Sequence, residues 1–255
     1  MDEMVLHEFS NGTKFYWTPT RMGAIKRVFT TPGGSGIYQK RNMDAFHKLF
    51  DNPSVVIDVG AHIGMNTIHY ARSAQYVFAM EALPFNFKHL TANIQINELN
   101  SKVTALNVAA GAASGVVGLV SPSSNTGTTH LDMSKSGITM VNSDDVILPM
   151  MRDTWKVDFI KIDTEGYEAG VILGLSEIII RYRPILQVEL IDKHLERYGS
   201  TSESVIKMMY SKDYFPLFYN GHTVEPRDYQ SGNRPTDIFF VYMGDVKNAR
   251  ARLQR

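Results

Sequence analysis

The chain has 255 residues, carries 26 Lys and Arg against 26 Asp and Glu, and contains no cysteine. Its length suits one α/β domain with an N-terminal extension and argues against two full domains. The balanced charge gives no overall field toward nucleic acid or an anionic membrane, and the lack of cysteine excludes disulfides, thiolate metal sites and a cysteine nucleophile.

Met1-Asp2-Glu3-Met4 lacks the basic start and apolar run of a signal peptide, and no segment approaches the roughly 18 apolar residues of a membrane span, so a cytoplasmic protein is expected. Residues 4–17 then read as a hairpin, with Asn11-Gly12 between Val5 to Phe9 and Lys14 to Trp17. A short helix is expected from about Pro19 to Phe29, followed by the breaker run Pro32-Gly33-Gly34-Ser35-Gly36. No Lys-Ser/Thr follows that run in phosphate-loop register, so it reads as a flexible connector. Between Tyr38 and Phe50, Met43, Phe46, Leu49 and Phe50 recur at helical spacing.

The core alternates. Strands are expected near 54–59, 75–81, 102–108, 157–162 and 184–190, with helices near 63–74, 84–98, 167–175 and 201–211. Such alternation implies an α/β fold with a mostly parallel, doubly wound, Rossmann-like sheet covered by helices on both faces. The rhythm breaks after the third strand: Gly115 to Val120 reads as a short strand, and Ser121 to Gly137, rich in Ser, Thr, Asn and Gly, as a mobile surface loop or a lid over a site. Phe215 to Tyr219 and Asp237 to Tyr242 are expected to pair as an antiparallel C-terminal hairpin. Arg250, Arg252 and Arg255 read as a solvated terminus.

The stretch from Val56 to Thr67 is the most informative. An apolar run containing Asp58 leads into Gly60 and Gly64, the pattern of a buried strand, a tight turn and a helix start. The G-x-x-x-G spacing lacks the glycines that let backbone approach a pyrophosphate, and an ionised Asp58 repels phosphate while tolerating a sulfonium or ammonium. Glu81 closes the next apolar run, about 20 residues beyond Gly60, where an acid can accept hydrogen bonds from ribose hydroxyls. Together these residues point to S-adenosylmethionine rather than NAD.

The chain resembles the FkbM-type S-adenosylmethionine-dependent methyltransferases. The resemblance rests on Asp58-Val59-Gly60-Ala61-His62-Ile63-Gly64, on Glu81 with Pro84 and Asn93, on Asn107-Val108-Ala109-Ala110-Gly111, on Asn125-Thr126-Gly127, and on the run Phe159 to Glu168 (FIKIDTEGYE). It spans about 54–190 and implies the seven-stranded class I methyltransferase sheet, with O-methylation of a sugar or natural-product hydroxyl as the usual reaction. It departs from the family at His62, where Asn is common, and at Gln39, where an acid often stands. By this reading residues 1–50 form an extension packed on a methyltransferase domain of residues 51–255.

Methyl transfer to a hydroxyl requires alignment of donor and nucleophile and removal of a proton. The turn backbone from Gly60 through Ala61, His62 and Ile63 to Gly64, with Asp58 and with Thr67 at the helix start, is expected to hold the methionine end of the cofactor. Glu81 is expected at the ribose, and Ala82, Leu83, Asn107, Val108 and Ala109 around the adenine. Asp163, which also belongs to the cofactor set, and Glu165 sit at the end of the fourth core strand and are the candidate bases. Against that, Asp163 can cap the helix starting near Gly166, and Glu165 can pair with Lys161 or Arg181. His130 is the one histidine of the polar segment and a further candidate. The set includes no metal; an oxygen site of Asp163, Glu165 and Glu189 is the alternative, and no H-E-x-x-H spacing supports zinc. The expected partner is a small-molecule or glycan hydroxyl acceptor, not nucleic acid or a membrane, and a homodimer stays open. The competing functions are a nucleic-acid ribose methyltransferase and a non-catalytic cofactor-binding scaffold subunit.

Overall fold

The computed structural model describes residues 3–31, 33–222, 224–226 and 237–254. It begins with the hairpin of β1 (Val5–Glu8) and β2 (Lys14–Trp17), turning through Gly12 at positive φ. A 3₁₀ turn at Gly23–Ile25 runs into α1 (Lys26–Thr30), shorter than the helix expected from Pro19, and α2 (Lys40–Leu49) buries Met43, Phe46 and Leu49 along one face. Hydrogen bonds tie the described part of the connector between these helices to the hairpin and to His69. Asn11 Nδ2 donates to Ser35 O at 2.8 Å, and the His69 ring lies 3.2 Å from Gly36 O. Pro32 lies outside the described residues.

The alternating core follows as β3 (Val55–Val59), α3 (Met65–Ser73), β4 (Tyr76–Met80), α4 (Pro84–Ile96) and β5 (Val103–Leu106). Next come β6 (Ala109–Gly111), β7 (Gly115–Val120), β8 (His130–Asp132), β9 (Ile138–Asn142) and α5 (Ser143–Ile147). The chain continues through β10 (Val157–Ile162), α6 (Glu168–Gly174), α7 (Ser176–Tyr182), β11 (Ile185–Glu189), α8 (Asp192–Leu195) and α9 (Ser202–Tyr210). It closes with β12 (Tyr214–Tyr219), β13 (Val224–Pro226), β14 (Asp237–Tyr242) and α10 (Val246–Leu253).

The main sheet has the order β13-β12-β14-β11-β10-β3-β4-β5. The five strands from β5 to β11 are parallel, and β14 runs antiparallel to both neighbours, so the sheet is mixed. It differs from the expected seven strands by the three-residue β13, which pairs with the outer edge of β12. The pairing of β12 with β14 matches the expected C-terminal hairpin, with β14 inserted between β12 and β11. Along β3 alternate residues enter opposite cores, Val56 on one side and Val55, Ile57 and Val59 on the other. That is the period-two pattern of a strand covered on both faces.

Ser121 to Gly137, expected as a mobile surface loop or a lid over a site, contains regular structure, and its Thr126 to Leu131 stretch lines the cleft described below. It carries β8, paired with β7, and a 3₁₀ turn at Thr126–Thr128, within a second sheet of order β6-β9-β7-β8. Its polar side chains gave no periodic signal because backbone bonds hold it: Gly23 N–H donates to Ser124 O at 3.2 Å and Thr126 N–H to Arg21 O at 2.8 Å. The tail is also structured, since α10 buries Ala249 and Leu253, and Arg252 donates to Leu49 O at 2.6 Å. Arg255 lies outside the described residues.

Asn93 on α4 ties the N-terminal hairpin to the turn after β3. Its Oδ1 accepts from Tyr16 N–H at 2.6 Å, and its Nδ2 donates to Ile63 O at 2.8 Å and to Tyr16 O at 3.2 Å. Asn93→Leu keeps the volume but leaves three backbone groups without partners, so urea unfolding is expected to show a loss of about 2–5 kcal/mol. A loss under about 0.5 kcal/mol would mean that this stitch does not hold the hairpin.

Candidate functional site

The chain reverses direction across the sheet between β3 and β10. From β3 it builds outward through β4 and β5, and from β10 it builds the other way through β11. Ligands bind open α/β sheets at the carboxyl ends of the strands beside such a reversal. A cleft opens there, with about 1100 Å³ of free space including its mouth. Its floor is the turn after β3, where Gly60, His62 and Gly64 all have positive φ. A Cβ on Gly60 would collide with the Asp163 carbonyl, so glycine is required where the turn meets the end of β10. Histidine is among the residue types enriched at positive φ, which accounts for His62 at a position the family commonly gives to Asn.

Glu81 stands on the wall just beyond β4. Its Oε2 accepts from the His62 N–H at 2.8 Å and its Oε1 from the Leu83 N–H at 2.9 Å. Burial pushes its carboxyl up to about 7, against the pull of these amides and of Asn86. The same burial lowers His62 to about 4, so its ring is neutral and lies 3.2 Å from Thr126 Oγ1. Ala61, Ala82, Val108 and Ala109 join the wall as expected.

Six expected cofactor residues do not line the cleft. Asp58 is fully buried beneath its floor, because its carboxylate turns inward: Thr67 Oγ1 donates to Oδ2 at 2.6 Å, and Lys161 Nζ lies 3.5 Å from Oδ1. Thr67 is therefore committed to Asp58. Ile63 and Gly64 shape the turn from behind, and Leu83 contributes its N–H to Glu81. Asn107 supports the wall from outside it, with Nδ2 donating to Glu81 O at 2.8 Å and Ala82 O at 3.1 Å.

Asp163, Glu165 and Glu189 also line the cleft. Lys161 Nζ bridges Asp163 at 3.4 Å, Asp58 and the Gly60 carbonyl at 3.3 Å. Burial alone lowers the pKa of a lysine, but Asp163 and Asp58 outweigh it and hold Lys161 raised and charged. Asp163 does not cap the next helix. Glu168 serves that turn instead, accepting from the Thr164 and Gly166 N–H groups at 2.9 and 3.0 Å. Glu165, at positive φ, pairs with neither Lys161 nor Arg181; its Oε2 lies 3.0 Å from His194 Nδ1. Burial first, then Asp163 and Glu168, pushes Glu165 up to about 8, and burial with Asp163 and Glu165 raises Glu189. The alternative oxygen trio changes membership: Glu165 and Glu189 meet His194, with one ligating atom of each within 4.8 Å of the others, and Asp163 stays with Lys161. His130 reaches the wall from β8.

The family model described as a methyltransferase FkbM domain matches residues 58–216. The chain belongs to the FkbM methyltransferase family. No curated protein matches it in sequence. Among solved structures it is similar to the FkbM methyltransferase of Methylobacillus flagellatus KT at 19% identity and a TM-score of 0.48, over 74% of this chain and 44% of that one. The chain therefore spans less than half the length of that relative. It is similar to a putative methyltransferase of Streptococcus mutans, SMU.1697c, solved in complex with SAH, at 11% identity and a TM-score of 0.50, over 79% of this chain and 96% of that one. It is also similar to the tRNA m1G37 methyltransferase of M. jannaschii at 15% identity and a TM-score of 0.48, over 94% of this chain and 54% of that one. At these identities the likenesses concern the fold alone.

The FkbM match takes in the turn after β3, Glu81, Lys161 and Glu189, but not Ala24, Ile25 and Tyr38, which wall the cleft from the N-terminal side. Burial, with Asp163 and Glu189 nearby, raises Tyr38 to about 12, so its phenol is a neutral donor. Sequence reasoning named neither Tyr38 nor Asn66 and Asn86 on the wall, and it gave Lys161 only a salt bridge to Glu165. The signal for Lys161 was a single cation within the apolar end of a strand, Phe159-Ile160-Lys161-Ile162. Among the described residues no helix is long and apolar enough to cross a membrane.

Lys161→Met strands the Asp58 carboxylate in the core. It is expected to cost about 3–5 kcal/mol in urea unfolding, the usual effect of removing one partner of a buried pair. Asp58→Asn combined with Lys161→Met should recover part of that loss. Strictly additive losses would show that the two groups do not act as a pair.

Proposed function

We propose that this chain is an S-adenosylmethionine-dependent O-methyltransferase acting on a hydroxyl of a saccharide or other small metabolite. The observation that carries the reading is one cleft at the strand reversal that joins the turn after β3 and Glu81, suited to the methionine and ribose parts of the cofactor, to Asp163 beside that turn and to Glu165 and Glu189. Among the described residues, Lys161 is the only lysine or arginine on the wall, and Asp58 and Asp163 neutralise it. That charge pattern favours a sulfonium donor and disfavours the phosphates of NAD or of a nucleic-acid strand.

The residues present suit the cofactor: Glu81, just beyond β4, offers carboxylate oxygens to a ribose, and Asp163 beside the floor offers one to an ammonium. When bound, S-adenosylmethionine supplies the methyl group. The chain's own residues do the rest. The floor backbone and Glu81 hold the nucleoside end, Lys161 holds Asp163 in place, and Glu165 takes the hydroxyl proton when ionised. Glu165 lies on the wall with its Oε2 3.0 Å from His194 Nδ1, and burial lowers the pKa of that ring.

Calorimetry is expected to show binding of S-adenosylhomocysteine in preference to NAD, and Glu81→Ala should weaken it by about 1.5–3 kcal/mol. Tight NAD binding would end the reading.

The proton step predicts a pH profile. A base works only when ionised, and burial holds Glu165 at about 8, so the rate should climb with pH through about 8 rather than near the ordinary value of 4.5. Glu165→Gln should lower kcat by about 10²–10⁴ and abolish that limb, with S-adenosylhomocysteine affinity little changed. A profile identical in wild type and Glu165→Gln would remove Glu165 from the proton step.

A further inference from the structure

Glu189 ends β11 and lines the cleft. Among the described residues no hydrogen bond or ion pair reaches its carboxylate, and both of its oxygens remain accessible. The other acids of the wall are engaged. Asp163 pairs with Lys161, Glu81 accepts from the His62 and Leu83 N–H groups, and Glu165 stands against His194. Tyr38 is the second group of the same kind as Glu189: it lines the cleft, and among the described residues its hydroxyl is accessible and has no hydrogen-bond partner. The charges of Asp163 and Glu189 both bear on that hydroxyl, which places phenol and carboxyl on the same part of the wall.

Methyl transfer as read above uses Glu81 for the ribose, Asp163 for the cofactor's ammonium and Glu165 for the hydroxyl proton. Glu189 and Tyr38 are left for the rest of the acceptor. A half-buried carboxylate without a cation is costly, and burial together with Asp163 and Glu165 favours the neutral form of Glu189. An ammonium beside it reverses that balance and turns an unpaired acid into a charge-assisted hydrogen bond. A neutral saccharide brings no such pair, and a phosphate or carboxylate is repelled.

We propose that the acceptor is a hydroxyl compound that also carries an amine, an amino sugar or an amino alcohol, with its ammonium on Glu189 and a neighbouring oxygen accepting from the Tyr38 hydroxyl. The proposal rests on the methyl-transfer reading above and narrows its acceptor class. An ammonium has no lone pair, so the group held on Glu189 is not the one methylated: the hydroxyl oxygen takes the methyl group and Glu165 its proton.

The test uses the whole chain saturated with S-adenosylhomocysteine and compounds matched except for the amine. Serinol is titrated against glycerol, and glucosamine, galactosamine and mannosamine against glucose, galactose and mannose, with the N-acetyl sugars as uncharged controls and binding read by calorimetry or NMR. In wild type, serinol and at least one amino sugar should bind about ten-fold or more tightly than their neutral matches, the usual effect of a hydrogen bond to a charged group. Glu189→Gln should abolish that preference and leave S-adenosylhomocysteine affinity unchanged, and Glu189→Ala takes its place if the amide variant does not fold. Tyr38→Phe should weaken amine and neutral match alike, by about two- to ten-fold. Equal binding of amine and neutral compounds, a preference that survives in Glu189→Gln, an unaffected Tyr38→Phe, or no binding by any of them overturns the proposal. So does a loss of S-adenosylhomocysteine affinity in Glu189→Gln, which would give that acid to the cofactor. A wild type that does not bind S-adenosylhomocysteine overturns the cofactor reading and this proposal with it, whereas binding without the amine preference overturns this proposal alone.

Discussion

The ammonium of Lys161 sits in the core between two carboxylates, and the geometry of the cleft follows from that pairing. An ion removed from water is costly unless opposite charge and hydrogen bonds surround it. Lys161 meets the requirement with Asp58, Asp163 and the Gly60 carbonyl. Asp58 lies directly across from it in the parallel register of β3 and β10. One charged group thus joins the end of β10 to the turn after β3, the two places between which the cleft opens. Thr67 extends the network into α3, so the strand, the turn and the helix start are locked to one another.

The same burial that makes this network costly also sorts the protonation states around the cleft. It lowers His62 to about 4, raises Glu81 to about 7 and raises Glu165 to about 8. At neutral pH the turn after β3 and Glu81 therefore offer a neutral imidazole and a carboxyl close to its midpoint. Glu165 and Glu189 resist ionisation until a cation or a departing proton changes the balance. A cationic ligand lowers the pKa of nearby carboxyls, so in the proposed reading the donor itself favours the charged form of a base placed beside it.

Much of this fold is legible in the sequence because its core is regular. Val55 to Val59 and Val157 to Ile162 are short, mostly apolar runs, and both are largely buried strands at those positions. What the sequence hides is direction and register. Asp58 reads as a residue facing the ligand, yet strand alternation places it under the floor, and only the order of the sheet shows that Lys161 is its neighbour. Short elements held by backbone bonds escape as well. The β8 strand and the Thr126 turn carry polar residues without period, and their anchors on Arg21 and Gly23 are main-chain groups that no side-chain pattern reports. The pairing of α10 with α2 rests on Ala249 and Leu253, two apolar positions four apart in an Arg-rich tail.

The N-terminal segment has a different standing from the rest. The family match starts at Asp58, but Ala24, Ile25 and Tyr38 precede it and still wall the cleft. Ala24 and Ile25 are held there by the bonds from Thr126 and Gly23 that also fix the polar segment, so these two parts of the wall depend on each other. Tyr38 brings a neutral phenol to the end where Asp163 and Glu189 gather. In the proposed reading that end receives the acceptor. The residues that hold the donor thus come from the shared domain, while the surface that selects the acceptor is built partly from chain outside it. Two proteins of this fold can then keep the same turn after β3 and the same acid beyond β4 while methylating different hydroxyls, because the selecting wall changes without disturbing the lysine-centred network beneath the donor.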